Sequence, residues 1–537
     1  MLGFDGVGSG LGRSNWGRWL LTATGFCRIG VVMDVTRQDP PIDVTGGVPR
    51  PDRDWRADQQ DATFLTGGAS DAPALVTSDG RVVAYGELAA ATAREPAWLP
   101  HGTADRSVVL LGATPTVDVV LAYLSAFRHG HPVVLVSPDL DAAALDRLLH
   151  AFRPEVLVRA SGAAGWPDVP DGYHPGTPHG SLLVYARRRL DAGPLHPDLA
   201  LVLLTSGTTG RPQGVRLSRR NVHRNAASIR QALGITAADR AVTSLPLHYS
   251  YGLSVLHSHL YAGASIVLTG DNPIGSDFWR TCADREVTAF AGVPLTYEGL
   301  RGPLPRVWPA TLRTLTQAGG RLRPDLVRWY ADLARERGAR FFVMYGQTEA
   351  TARMSCVDVV DDPAGIGSAG RAIPDGRFEI RPLGPNATID VGEVLYAGPN
   401  VMMGYAADRA HLADGDNLRG VLPTGDVGRL RDGYLELTGR IKRIAKTGGR
   451  RINLDELEES LAADARVAII ARDERLVVFH AGDPPATLRS ALNRACRALG
   501  VPFSHVTVRV LDRVPTTSTN KVDYAALAAL DGVPVNT

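Results

Sequence analysis

From about Ala62 the chain alternates two hydrophobic textures. Short, continuously apolar runs occur at Val108–Leu111, Val133–Val136, Val156–Val158 and Leu199–Leu204. Apolar at successive positions and too short for helices, they fit parallel strands covered on both faces. Helix-like stretches, Val117–Arg128 and Ala142–Ala151, lie between them. That βαβα order predicts an α/β domain. Ala160–Pro194, rich in Gly, Pro and His, reads as a surface excursion. A second α/β stretch follows, with strands at Ser265–Thr269, Val287–Phe290 and Arg340–Met344 and a helix over Pro324–Arg337 that Gly338 stops.

Beyond Gly367 the pattern breaks into short strands with frequent turns (Arg377–Arg381, Gly392–Tyr396, Tyr434–Leu437), which predicts a β-rich lobe. From Gly439 helices and strands mix, with a helix at Leu454–Ala462. The expected class is α/β. A large N-terminal domain, residues 61–438, carries stacked α/β subdomains and the β-rich lobe; a small α+β C-terminal domain, residues 439–537, follows a boundary near Lys442. No internal repeat or low-complexity block interrupts this order.

Residues 1–60 follow neither texture. The apolar stretch Trp19–Val32 is broken by Arg28 and lacks a small-residue cleavage site, so neither a signal peptide nor a membrane span is expected. Asp34–Gln60, rich in Pro, Asp and Arg, is expected to be disordered or a mis-assigned extension, and Met33 serves equally well as a start.

Composition alters the picture in one respect only. A hydrophobic content of 44% and a charged content of 21% are those of an ordinary soluble globular chain. A net charge of +2 provides no basic field, so nucleic acid is not an expected partner. Cys27, Cys282, Cys356 and Cys496 have no metal or redox spacing and suit a reducing cytoplasm, the expected location. Lysine usage is the exception. Of 58 basic residues only three are lysines, Lys442, Lys446 and Lys521. A chain dominated by arginine keeps lysine where a compact, mobile ammonium is needed, although drift alone explains three survivors as well.

Leu203–Val215 reads LLTSGTTGRPQGV, an apolar strand entering a loop of hydroxyls and glycines. Gly207 and Gly210 let successive backbone N–H groups converge, while Thr205, Ser206, Thr208 and Thr209 add side-chain donors, a nest for anionic oxygens. No Gly-Lys-Ser/Thr follows, so it is not a Walker loop. Taken alone, a structural hairpin fits equally well.

TSGTTGRPQGV resembles the signature loop of the adenylate-forming superfamily: acyl-CoA and aryl-CoA synthetases, nonribosomal peptide adenylation domains and luciferases. YGQTEAT (Tyr345–Thr351) resembles the second signature of that family, and GSAGRAIPDG and GEVLYAGPNVMMGY the segments after it. Leu422–Glu459 resembles the ribose-binding and hinge region, and VPTTSTNKVDY (Val514–Tyr524) the C-terminal lysine motif. The segments stand in family order from about residue 70 to 530.

The resemblance implies that a small carboxylic acid attacks the α-phosphorus of ATP, expelling pyrophosphate and leaving an acyl adenylate. Such chemistry relies on positioning and on stabilising phosphoryl charge. It implies Lys521 at the carboxylate and α-phosphate, Thr205–Gly210 and Gln213 at the phosphates, and Ala318, Gly319, Gly320, Tyr345 and Gly346 around the adenine. Thr348 falls at the α-phosphate, Glu349 at Mg²⁺, Asp426 at the ribose hydroxyls and Arg440 at ribose or phosphate. Lys442 falls at the hinge of a mobile C-terminal lobe, whose swing replaces Lys521 by a face bearing Lys446 and Thr447–Gly449. An acceptor thiol, CoA or the phosphopantetheine of an acyl carrier protein in trans, then reaches the adenylate. The acid pocket is implied along Tyr249–Leu253 (Tyr249 and Ser250 foremost), Gly292–Tyr297 (Gly292, Thr296), Ala318–Arg321 and Thr351–Ser355. Its small and apolar positions suit an aliphatic or aryl acid.

Three positions depart from the family pattern. Gln213 stands where the phosphate loop usually has lysine; an amide donates a hydrogen bond but cannot neutralise phosphate, unless Arg211 or Arg216 substitutes. Asn520 replaces the glycine before Lys521. Ser250 stands where amino-acid adenylation domains have aspartate, which argues against an α-amino acid, whose buried ammonium would lack a partner. The expected function is a stand-alone acid–thiol ligase. An amine acceptor, or an unusual small oxyacid in natural-product assembly, is the second reading. A degenerate nucleotide-binding protein is the third.

Overall fold

The structure, a computed structural model, describes residues 63–96, 98–99, 106–162, 166–188, 193–205, 213–383, 390–447, 450–462, 465, 467–472, 475–499, 501–517 and 522–530. The expectations for residues 1–60 lie outside them.

The predicted parallel strands assemble into one sheet. Val109–Gly112 pairs with Val133–Val136 and Val156–Ala160, and Val133–Val136 with Leu199–Thr205, all parallel. Among the described residues this sheet has eight strands, ending on one side with Gln213–Ser218 and Gly404–Ala406. The helix Val117–Arg128 begins where the Thr116 hydroxyl accepts from the Val119 N–H, and Val119, Val120, Tyr123, Leu124 and Phe127 of it are buried. Asp141 caps the next helix, Ala142–Phe152, in the same way. Both caps satisfy N–H groups that a helix start leaves without partners.

The Ala160–Pro194 segment departs from expectation. Leu182–Arg187 and Tyr173–Pro175 in it add antiparallel strands to the sheet edge, through Val156–Ala160. Glycine, proline and histidine content gave no hint of this; the run LLVYAR did, and its Leu182, Val184, Tyr185 and Ala186 are buried.

A second sheet of nine strands is ordered Arg371–Ala372, Ser355–Asp358, Arg340–Tyr345, Thr314–Gln317, Ala289–Gly292, Arg240–Val242, Ser265–Leu268, Pro73–Thr77, Val82–Ala84. The strand expected at Val287–Phe290 starts two residues later, because Val287 still closes the preceding helix with its N–H on the Cys282 carbonyl. The helices Arg219–Leu233 and Ser250–Tyr261 accompany the two sheets. Leu75, Leu111, Tyr123, Leu201, Val215, Leu256 and Ile266 share one buried cluster, so strands of both sheets and intervening helices form a common core.

Arg377–Pro382, Gly392–Ala397, Val421–Arg431 and Tyr434–Arg440 form an antiparallel four-stranded sheet, the β-rich lobe. The C-terminal part has its own core. The hairpin Ile444–Thr447/Arg450–Asn453 and the strands Val467–Arg472, Arg475–Ala481 and Val506–Leu511 accompany the helices Leu454–Leu461, Ala486–Leu499 and Tyr524–Leu530. Leu457, Leu461, Ile469, Val478, Leu488 and Leu492 pack together there. The several mixed sheets and their helices match the expected α/β class. No helix among the described residues is long and apolar enough to cross a membrane.

Candidate active site

The strand Arg340–Tyr345 ends in a tight loop that sets most of the site. A Cβ on Gly346 would stand 1.6 Å from the Ala352 carbonyl oxygen, so only glycine lets the two backbones touch there. The Gln347 carbonyl accepts from the N–H groups of Ala350 and Ala352, Thr351 and Ala352 take φ of 56° and 99°, and the Met354 N–H returns to the Tyr345 carbonyl. Buried amides fasten the loop from outside. Asn400 Nδ2 donates to the carbonyls of Ala350 (2.8 Å) and Arg353 (2.9 Å), and Asn225 Nδ2 to that of Arg353 (3.0 Å).

Asp426 is the centre of the polar cluster. It lies opposite Arg440 across two antiparallel strands and is 3% exposed. Arg440 Nε donates to Oδ1 at 2.9 Å, while Oδ2 accepts from Gln347 Nε2 at 2.7 Å and from the Tyr345 hydroxyl. Burial, with Asp426 beside it, pushes the Tyr345 phenol well above its usual range. Asp426 likewise raises the Arg440 guanidinium. The Tyr345 ring lies beside that of Phe378.

Two hydroxyl contacts extend the cluster. The Glu349 carboxylate accepts from the Tyr405 hydroxyl at 2.8 Å, and Thr348 Oγ1 meets Ser250 Oγ at 3.1 Å. Ser250 opens the buried helix Ser250–Tyr261. Gly319 has φ of 88°, and a Cβ there would stand 2.6 Å from the Tyr249 hydroxyl, so glycine is required both by conformation and by contact. Ala318 is buried, and the Gly320 carbonyl accepts from Gln317 Nε2 at 2.8 Å. A carboxylate such as Glu349 is the hard-oxygen ligand that Mg²⁺ prefers, so the residues present fit that ion.

Other expected positions show no bond to this cluster among the described residues or fall outside them. Thr205 ends its strand with Oγ1 on the Gln213 carbonyl (3.4 Å), but Ser206, Gly207, Thr208, Thr209 and Gly210 lie outside the described residues, as do Arg211 and Lys521. Lys446 lies in the strand Ile444–Thr447, opposite Arg451. Lys442 is exposed in the turn Ile441–Arg443, just after the Arg440 strand. Arg321 turns to Glu459 on the small C-terminal core (2.5 Å). Arg216 cannot stand in for the missing phosphate-loop lysine. It is fully buried, and its guanidinium donates to the carbonyls of Met403, Tyr405, Asp414 and Gly415.

Under the Ser250–Tyr261 helix lies a cavity with about 480 Å³ of space between atoms, part of it open to solvent. Tyr251, Ser254, Ala291, Thr316, Met344 and Arg353 line it, whereas Gly292, Thr296 and Arg321 do not. Sequence reasoning missed Gln347 and Tyr405, both inside quoted motifs, and gave Arg353 no role of its own. Only spatial neighbours distinguish these three.

The chain matches the AMP-binding enzyme family over residues 65–406. It is 32% identical over 374 residues to 2-succinylbenzoate–CoA ligase of Bacillus velezensis, covering 68% of this chain and 73% of that protein. It is 30% identical over 532 residues to isonitrile lipopeptide synthase of Streptomyces coeruleorubidus, covering 92% of this chain but only 35% of that synthase. The chain thus spans about a third of the length of that relative. In fold it is similar to O-succinylbenzoate coenzyme A synthetase (MenE) from Bacillus subtilis in complex with AMP, with a TM-score of 0.67 and 24% identity over 86% of this chain and 96% of the other. Similarity to ATP-bound MatB from Rhodopseudomonas palustris has a TM-score of 0.68 at 20% identity, over 88% and 99%. With the Asp426 cluster, the Gly346 loop and the family match over most of the large core, the chain belongs to the AMP-binding enzymes, the ATP-dependent, AMP-forming ligases.

Proposed function

We propose that this ligase joins a carboxylic acid to the thiol of CoA or of a carrier protein, through an acyl adenylate. The observation that carries the reading is the cluster of Tyr345, Gln347 and Arg440 on Asp426, with Thr348 beside Ser250. It offers a carboxylate for ribose hydroxyls and, in the same loop, a hydroxyl and a carboxylate for the phosphate end. Mg²⁺, held by Glu349, would supply charge neutralisation at the phosphates. Asp426 and Tyr345 orient the nucleoside, Thr348 positions the α-phosphate, and Lys521 brings the substrate carboxylate and the α-phosphate together. Several relatives are named as CoA ligases or synthases, of 2-succinylbenzoate, feruloyl, oxalate and sulfoacetate type, which supports CoA as acceptor.

Residues 439–537 act in this reading as a lid hinged near Lys442. Support comes from the exposed turn at Lys442 and the separate core beyond it. Acid-dependent pyrophosphate release, screened over fatty, aryl, hydroxy and amino acids with ATP, tests the first half-reaction. Lys521→Ala is expected to lower it at least 100-fold, of the order seen when a charge-stabilising donor is lost. Near-equal turnover in that variant removes the assignment of Lys521. AMP formation with CoA, a holo carrier protein or an amine then identifies the acceptor. ATP binding with no acid-dependent pyrophosphate release from any acid favours a non-catalytic nucleotide-binding protein instead.

A further inference from the structure

Arg353 is 3% exposed, and among the described residues no hydrogen-bond acceptor or carboxylate reaches its guanidinium. The ring of Tyr251 lies under it, with its centroid 4.7 Å from the guanidinium carbon, and Tyr249 and Cys356 are the other polar side chains near it. Other buried arginines in this chain are provided for. Arg409 holds Glu155 with two nitrogens, and Arg216 has its four carbonyls. A buried cation without an anion is costly, and burial accordingly depresses the basicity of Arg353.

The position is nevertheless built with care. Thr351 and Ala352 both take positive φ, and the Arg353 carbonyl is clamped by Asn225 and Asn400. The Tyr251 ring beneath the guanidinium is fixed by its hydroxyl on Thr316. Arg353 lines the cavity beside Ser254, Ala291, Thr316 and Met344. Asp239, the acid on the same cavity wall, is already engaged by Thr236, Thr288 and Arg313. Tyr251, on the cavity wall, directly follows Ser250, which touches Thr348, so the start of one helix borders both the Thr348 loop and the cavity that holds the unpaired guanidinium.

We propose that Arg353 is a specificity-determining residue that receives a second anionic group of the acid substrate, a carboxylate or a sulfonate remote from the one that is activated. A guanidinium fork matches such a group with two parallel hydrogen bonds. The acid completes an ion pair that the protein leaves open, and a neutral-tailed acid of the same length leaves that charge buried and unpaired. This inference rests on the acid-ligase reading of the cavity.

Two measurements on the full chain test it. The first is calorimetric binding of aliphatic diacids of increasing length and of terephthalate, each paired with its neutral-tailed monoacid and with an ω-sulfonated counterpart. Binding is measured with α,β-methylene-ATP present so that no adenylate forms. At the length that fits, the dianion is expected to bind about 100-fold tighter than the monoacid. Arg353→Met is expected to erase that preference and Arg353→Lys to restore part of it; the carboxylate and sulfonate arms tell which group is favoured. Monoacids binding as well as dianions, a preference that survives Arg353→Met, or no dianion binding at all overturns the proposal. Because Met removes an uncompensated charge, the Tm of Arg353→Met is expected to equal or exceed that of the wild type. A lowered Tm with unchanged acid preference makes Arg353 structural and overturns the proposal too.

The second measurement is pyrophosphate release with the same acids and ATP. Turnover of monoacids but not of dianions defeats the Arg353 assignment and leaves the ligase reading intact. Arg353-dependent dianion binding without pyrophosphate release from any acid does the reverse.

Discussion

Gln213 and Arg216 lie three positions apart on one strand, yet only the first faces the question of phosphate charge. Gln213 begins the strand after the Thr/Gly loop, whereas Arg216 ties that strand to the Gly404–Ala406 strand and to the 414–415 turn. Gln213→Lys is therefore expected to lower the KM for ATP about threefold to tenfold by adding a charge-assisted contact. Arg216→Met is expected to destabilise the fold by about 3 kcal/mol or more, since buried carbonyls lose their donors. Denaturant unfolding together with ATP kinetics separates the two; a stable Arg216→Met with a raised KM for ATP would return Arg216 to the phosphates. The gathering of Tyr345, Asp426 and Arg440 was legible because each lies in a motif that carries its chemistry locally. Arg353 and Arg216 carry the same charge, and no local pattern separates the satisfied guanidinium from the unpaired one. Their difference lies in contacts from distant segments.

Elements were legible wherever the hydrophobic period was unambiguous. The parallel strands at Val133–Val136 and Leu199–Thr205 and the helix Val117–Arg128 appear where the pattern put them. The strands in 160–194 were harder to read, because the glycines, prolines and histidines around the run LLVYAR mark loops and the edge strand Tyr173–Pro175 has only three residues, one of them proline. The Gly346 loop was legible as a motif but not as a turn, since its geometry depends on the close approach of Ala352. Gly346→Ala is expected to force the loop open, with a loss of roughly 3 kcal/mol or more from the overlap. Both the Tm and the affinity for ATP should fall, as thermal melts with and without nucleotide would reveal. An unchanged melt would mean that the loop relaxes freely and does not anchor Tyr345.

For the whole molecule, burial of titratable groups shapes the response to acid. His131, His248, His257 and His259 all have basicity lowered chiefly by burial, His257 to about 3. The His257 ring stays neutral in the fold at pH values where the unfolded chain, below about pH 6.5, takes up protons. Its contribution is complete above that pH and is lost as pH falls from 6.5 towards 3, by up to ~1.4 kcal/mol per pH unit, and the other three rings act in the same direction. The Tm is expected to drop between pH 6.5 and 5, and less steeply in His257→Gln, where an amide can still face the Tyr123 hydroxyl. A parallel decline in both proteins would exclude His257 as a source. The organisation into large and small cores was readable from texture, but the ties between them were not: Arg321 reaches Glu459 across more than a hundred residues of chain, and Asn453 reaches the Thr438 carbonyl. The bond between Asp426 and Arg440 has a consequence for motion. Arg440 ends its strand two residues before Lys442, so a sugar that took over the carboxylate, as proposed, would untie the side chain anchored just ahead of the turn. Under the proposed hinge, cargo loading would be felt at the joint as the loss of a tether.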